Sequence, residues 1–169
     1  MIKTILMMIM LFGNVIFSAS LHTGIGQLSM GMPGNPSVPN QATTFGVGIV
    51  NDYPYQNHKA LQLSFYYQVT QNNGRIVLDE LVLKIGGIRQ VSPRMGYGFG
   101  VQLNHVLASD FDAQLLPSNG IGFYIDGYYQ ALPQLRLTMG VASLNYTMGH
   151  SYSAALISNE IRFGLSTNL

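Results

Sequence analysis

From Ala60 to Thr70 the chain alternates without a break: Leu61, Leu63, Phe65, Tyr67 and Val69 take one set of positions, Gln62, Ser64, Tyr66, Gln68 and Thr70 the other. Successive side chains of a strand point to opposite faces, so this period of two makes one apolar face and one polar face. In LDELVLKIGG, Leu81, Leu83 and Ile85 oppose Glu80, Val82 and Lys84. In SNEIRFGLSTNL, Ile161, Phe163, Leu165 and Leu169 oppose Glu160, Arg162, Gly164, Ser166 and Asn168. Helical periodicity is almost absent after residue 20. Such a chain is all-β, built from two-faced strands.

Eight segments carry the pattern, at about 21–30, 43–50, 60–70, 76–88, 95–106, 120–131, 135–146 and 157–169. Most have the roughly 9–11 residues of a strand that crosses a bilayer at a tilt. The connections suit an up-and-down order. Residues 31–42 (MGMPGNPSVPNQ) and 107–119 (LASDFDAQLLPSN) are long, whereas RQVSPR and LPQ are short. QNNGR is a tight hairpin signal, on the side where long loops are expected. NDYPYQNHK is long where a short turn is expected.

Alternation does not say which face meets water. A soluble lipocalin-like barrel turns its apolar set inward and covers its outside with lysine and glutamate. Here only 9% of residues are charged, against about 25% in ordinary soluble domains, and the polar faces are mostly Gly, Ser, Thr, Gln and Asn. The six charges Glu80, Lys84, Asp126, Arg136, Glu160 and Arg162 all oppose the apolar faces, three acids against three bases. Enclosed together they can pair, whereas burial without partners is costly. The sequence therefore predicts an inverted arrangement: an eight-stranded antiparallel transmembrane β-barrel, apolar to lipid, with a polar interior. The soluble ligand-binding barrel is the alternative. Asp79 shares parity with Leu81 and must sit near a rim. Eight strands leave an interior just wide enough for side chains, so Tyr66, Tyr124, Tyr128 and the charges plug it and no general pore is expected. Tyr53, Tyr55, Tyr97 and Tyr129 fall where an aromatic girdle belongs.

The first twenty residues, MIKTILMMIMLFGNVIFSAS, read as a signal peptide: basic Lys3, an apolar core, and Ser18 and Ser20 at a small-residue cleavage site. The apolar run falls short of the roughly 20 residues of a spanning helix. The expected organisation is 1–20 signal peptide and 21–169 barrel, exported to the outer membrane of a Gram-negative bacterium. Of 8 basic and 7 acidic residues, Lys3 leaves with the signal peptide, so the remainder is neutral and gives no support for nucleic-acid binding. Cysteine is absent, which excludes disulfides and thiol chemistry.

Candidate chemistry is sparse. RMGYGFGVQLNH spaces Gly96, Gly98 and Gly100 as G-x-G-x-G, but phosphate fingerprints need other spacings and a following helix. Here another alternating strand follows. The expected reason for these glycines is room for bulky interior residues of other strands, with Gly98→Leu harmful and Phe99→Leu nearly silent. His22, His58, His105 and His150 are scattered and make no short-spaced metal pair. No cofactor is expected. GHSYSAALISNEI places His150, Ser151, Ser153 and Glu160 near one another and resembles the His–Ser–Glu arrangement of lipid A 3-O-deacylase barrels. That family has His and Ser two apart; here the position two after His150 is Tyr152, and Ser153 falls on the other face. A lipid A-modifying enzyme is therefore the second alternative.

FYIDGYYQALPQLRLTMGVASLNYT, then a polar loop and IRFGLSTNL, resembles the YfaZ-type small outer-membrane proteins of Gram-negative bacteria. A Gly-rich fifth strand, a Tyr-rich sixth, a short Pro-containing turn and a strand ending in Leu144-Asn145 carry the likeness, over residues 85–169. The resemblance implies an outer-membrane β-barrel of a family without a settled biochemical role and carries over no site residues; the chain as a whole reads as a monomeric, non-enzymatic barrel. Its partners would be outer-membrane lipid and lipopolysaccharide, with the barrel-assembly machinery during biogenesis. Such chains usually end in an aromatic residue; this one ends in Leu169.

Overall fold

We describe residues 20–31, 41–110, 117–148 and 156–168 of the computed structural model. They form eight strands: β1 (Ser20–Gly31), β2 (Ala42–Gln56), β3 (Lys59–Asn72), β4 (Arg75–Ser92), β5 (Met95–Ser109), β6 (Pro117–Leu132), β7 (Leu135–Met148) and β8 (Leu156–Asn168). Each pairs antiparallel with its sequence neighbour, and β1 pairs with β8, so the sheet closes into an up-and-down barrel. Closure removes the unpaired edges that an open sheet would expose.

The register fixes the barrel's shape. Register partners lead from Thr43 through Gln27, Ile161, Val141, Ile125, Phe99, Gly87 and Leu61 back to β2 at Tyr53, ten residues along the strand. With eight strands and that stagger, standard strand spacings give a tilt of about 40° and a backbone radius of about 8 Å. The stagger is even, so one parity faces inward around the whole circuit.

Two ends can be told apart. At the turn end lie Ser20, Asn168 and three two-residue turns, at 57–58, 93–94 and 133–134. At the loop end, the long connections follow β1, β5 and β7, and the Asn73-Gly74 turn joins β3 to β4. Asn73 and Gly74 both have positive φ, which matches the right-handed twist of a two-residue hairpin. The segment NDYPYQNHK, read above as a long connection, is mostly strand. β2 continues through Tyr53 and Tyr55 and turns only at Asn57-His58, with a register shift at Pro54, which has no N–H for a regular ladder. The proline hid the end of an otherwise alternating strand.

The apolar sets face outward, the inverse of a soluble barrel. Ile25, Phe45, Val47, Leu61, Phe65, Ile85, Phe99, Phe123, Ile125, Met139, Ile161 and Phe163 are all exposed, and they form a belt around the barrel. A monomeric soluble protein does not present so large an apolar surface. Tyr55, Tyr97 and Tyr129 are exposed at the turn end of the belt, and Tyr53 accepts a hydrogen bond from Asn51 Nδ2 at 3.1 Å. Asp79 lies on the outer face at the loop end, hydrogen-bonded by the Tyr67 hydroxyl.

The interior is not polar throughout. Leu28, Met30, Ala42, Val77, Leu78, Leu144, Tyr146 and Leu156 pack into one buried apolar cluster at the loop end. The strands reverse polarity there. On β7 the outward residues run Leu137, Met139, Val141 and then Ser143, Asn145, Thr147. The inward ones run Arg136, Thr138, Gly140 and then Ala142, Leu144, Tyr146. The same reversal occurs on β1 between Ile25 and Gln27 outside, and between Gly26 and Leu28 inside. Where a strand leaves lipid for water its outer side chains become polar, and its inner ones then supply the apolar contacts.

Candidate functional site

Under the apolar cluster sits a network of polar side chains that fills the barrel from its middle to the turn end. Alternation on each strand sends every second side chain inward, and the small radius brings side chains of non-adjacent strands within reach. All six charged residues singled out from the sequence point inward. Glu80, Lys84 and Glu160 are buried, and Asp126, Arg136 and Arg162 are partly so.

Three ion pairs organise the network. Lys84 Nζ donates to Asp126 Oδ2 at 2.7 Å and stands 4.3 Å from the centre of the Tyr124 ring, a cation–π contact. Arg136 Nη1 donates to Asp52 Oδ2 at 2.6 Å and lies over Tyr128 at 4.8 Å. Arg162 reaches Glu160 Oε2 at 3.6 Å and donates to the Tyr66 hydroxyl. Thr44 Oγ1 donates to Glu160 Oε1 at 2.9 Å. Glu80 has no cationic partner among the described residues. Its Oε1 accepts from Tyr146 at 2.7 Å and from Asn104 Nδ2 at 3.2 Å, and Gln102 Nε2 holds Asn104 Oδ1 at 2.9 Å.

Sequence reasoning missed two members. Asp52, read as part of a connection, is the partner of Arg136 and also accepts from Gln62 Nε2 at 2.9 Å. Its parity with Gly46, Gly48 and Val50 was the available signal. His22, one of the four scattered histidines, lies inside the barrel, with Nδ1 2.9 Å from Ser166 Oγ; its alternation with Gly24 and Gly26 marked the inner face. Of the other histidines, His58 stands in a turn, and His105 is outside, with Nδ1 2.8 Å from Asn119 Oδ1. No group of three metal-ligating side chains occurs among the described residues.

A cavity of about 50 Å³ remains, lined by His22, Tyr66, Gln68, Lys84, Asp126 and Arg162 among others. It has room for a few water molecules, and the Leu28–Leu144–Leu156 cluster covers it at the loop end. The architecture is a plugged barrel.

His150, Ser151 and Ser153, the other members of the deacylase-like constellation, lie outside the described residues, as do the expected signal segment up to residue 19 and Leu169. Glu160 is turned into the barrel and held by Thr44 and Arg162, so it does not face a lipid substrate outside. The glycines of RMGYGFG lie in β5, with no helix after them. A Cβ on Gly100 would stand 2.1 Å from the Ile85 carbonyl oxygen, and one on Gly96 would stand 2.2 Å from the Tyr128 hydroxyl. Gly98 is the least crowded of the three, at 3.3 Å from its nearest neighbours.

Among solved structures, Neisserial surface protein A (NspA) superposes with a TM-score of 0.57 at 16% identity, covering 89% of this chain and 97% of that one. The outer membrane protein OprG of Pseudomonas aeruginosa (TM-score 0.45, 10% identity, 90% and 96% covered) and the attachment invasion locus protein Ail of Yersinia pestis (0.44, 10%, 90% and 98%) are more distant. The likeness to NspA is one of fold: an eight-stranded closed antiparallel barrel of the outer-membrane kind. No family model and no curated protein sequence matches the chain.

Proposed function

We propose that the protein is a monomeric, non-enzymatic outer-membrane barrel of a Gram-negative envelope, close in kind to the YfaZ-type proteins, exported by a cleaved signal peptide over residues 1–20. The observation that carries this reading is a continuous apolar belt around a closed barrel whose interior holds three ion pairs and is capped by leucines. In this reading the turn end faces the periplasm and the loop end faces outward. The barrel is a rigid platform for the connections at 31–42, 107–119 and 147–156, whose role is structural or one of recognition. Its surroundings are outer-membrane lipid and lipopolysaccharide, it is folded by the barrel-assembly machinery, and no solute passes through it.

Cell fractionation tests the reading, together with heat-modifiable migration on a gel and conductance in planar bilayers. A protein in the outer-membrane fraction, migrating faster before boiling and giving no stable conductance steps, is expected. A protein freely soluble in the periplasm overturns the reading, and steady ohmic conductance overturns the plugged interior.

A further inference from the structure

Among the described residues, the charged side chains on the outer face at the turn end are all cationic. Lys59, Arg89 and Arg94 are exposed there. The described acids lie elsewhere: Asp52, Glu80, Asp126 and Glu160 are inside the barrel, and Asp79 and Asp110 are at the loop end. Lys59 and Arg89 are direct register partners across β3 and β4. The bond from Gln90 N to His58 O makes 58/90 a hydrogen-bonded pair. The next pair, Lys59 and Arg89, is therefore a non-hydrogen-bonded one, in which side chains approach most closely. Like charges directly opposite destabilise a sheet, and no described side chain neutralises these two.

Two residues toward the middle of the belt on β4 stands Gly87. A Cβ built there meets nothing within 4 Å, so the outer wall has an open notch. Its register partners Leu61 and Phe99 face outward and are exposed on either side of it. An apolar notch thus lies in line with a pair of cations, at the end of the belt where phospholipid phosphates of the periplasmic leaflet would sit. At the loop end the described basic residue is Arg75, already held by Asp110.

We propose that this face binds one anionic glycerophospholipid of the periplasmic leaflet. Its phosphate diester bridges Lys59 and Arg89, and one acyl chain lies in the notch over Gly87 between Leu61 and Phe99. The inference rests on the outer-membrane reading above. Arg94 in the adjacent turn adds a third positive charge, which favours phosphatidylglycerol over a zwitterionic headgroup.

The test is native mass spectrometry of the folded, detergent-solubilised barrel titrated with phosphatidylglycerol or phosphatidylethanolamine. The wild type is expected to hold one phosphatidylglycerol at least several-fold more strongly than phosphatidylethanolamine. Lys59→Ala with Arg89→Ala should lower that occupancy at least tenfold. Gly87→Leu should lower it as well while leaving the melting temperature unchanged or higher, because the notch has room for the side chain. Occupancy indifferent to these substitutions in a barrel that still migrates heat-modifiably overturns the site alone. Displacement of the lipid by inorganic phosphate, with no effect of Gly87→Leu, reveals a plain anion site and overturns the lipid assignment. A protein that shows no heat-modifiable migration overturns the membrane reading itself.

Discussion

Replacing Lys84 by methionine tests whether the interior network holds the barrel together. Lys84 and Asp126 are 2.7 Å apart, with side chains only 7% and 19% exposed, so neither charge is well served by water. Methionine keeps most of the lysine's length and apolar contacts but leaves the Asp126 carboxylate without its cation. Removing one partner of a buried pair costs about 3–5 kcal/mol, whereas replacing both with apolar residues of similar volume is often neutral. Asp126 retains some solvent contact, so Lys84→Met should cost about 3 kcal/mol, the lower end of that range. Asp126→Leu strands an ammonium left with its ring contacts to Tyr124 at 4.3 Å and Tyr66 at 6.0 Å and should cost a similar amount. The double variant Lys84→Met/Asp126→Leu should cost no more than either single change, a coupling of about 3 kcal/mol. Urea unfolding of the refolded barrel in lipid vesicles, followed by gel migration and tyrosine fluorescence, measures all three. Additive losses below about 1 kcal/mol each, the range of exposed pairs, would show that water in the adjoining cavity screens the ion pair and would refute the reasoning.

The remaining expectations concern packing. Gly100→Ala should impair refolding more than Gly98→Ala, because the first drives a Cβ into the β4 backbone and the second meets it at 3.3 Å; refolding yield by heat-modifiable migration ranks them. Phe99→Leu, on the lipid face, should change stability by no more than about 0.5 kcal/mol. Leu144→Ala opens a void in the fully buried loop-end cluster and should cost about 2–5 kcal/mol by urea titration. Tyr146→Phe removes the hydroxyl that donates to Glu80 at 2.7 Å; the same titration should show a loss of about 0.5–1.5 kcal/mol, the net value of an ordinary hydrogen bond, because Glu80 keeps its bond from Asn104.

Much of this molecule was legible because alternation is local. Strand number, order and the inward parity of Glu80, Lys84, Asp126, Arg136, Glu160 and Arg162 follow from a period of two combined with short connections. Pro54 and the cluster of polar residues around it disguised the end of β2, and with it Asp52. The apolar cap was hidden by the same rule that revealed the rest. Leu28, Leu144 and Leu156 have the parity of the polar face, and no single strand says that three such leucines meet.

What the sequence determined by itself is therefore the sorting of side chains to two faces, and the scarcity of charge that assigns the apolar one to lipid. Which charges pair was decided only by closure. The ten-residue stagger and narrow radius bring β4 against β6 at Lys84–Asp126, β2 against β7 at Asp52–Arg136, and β2 against β8 at Thr44–Glu160. These contacts span 42, 84 and 116 residues of chain. Periodicity carries no information over such separations, because it describes a strand and its sequence neighbours but not the strands two or three places around the closed barrel.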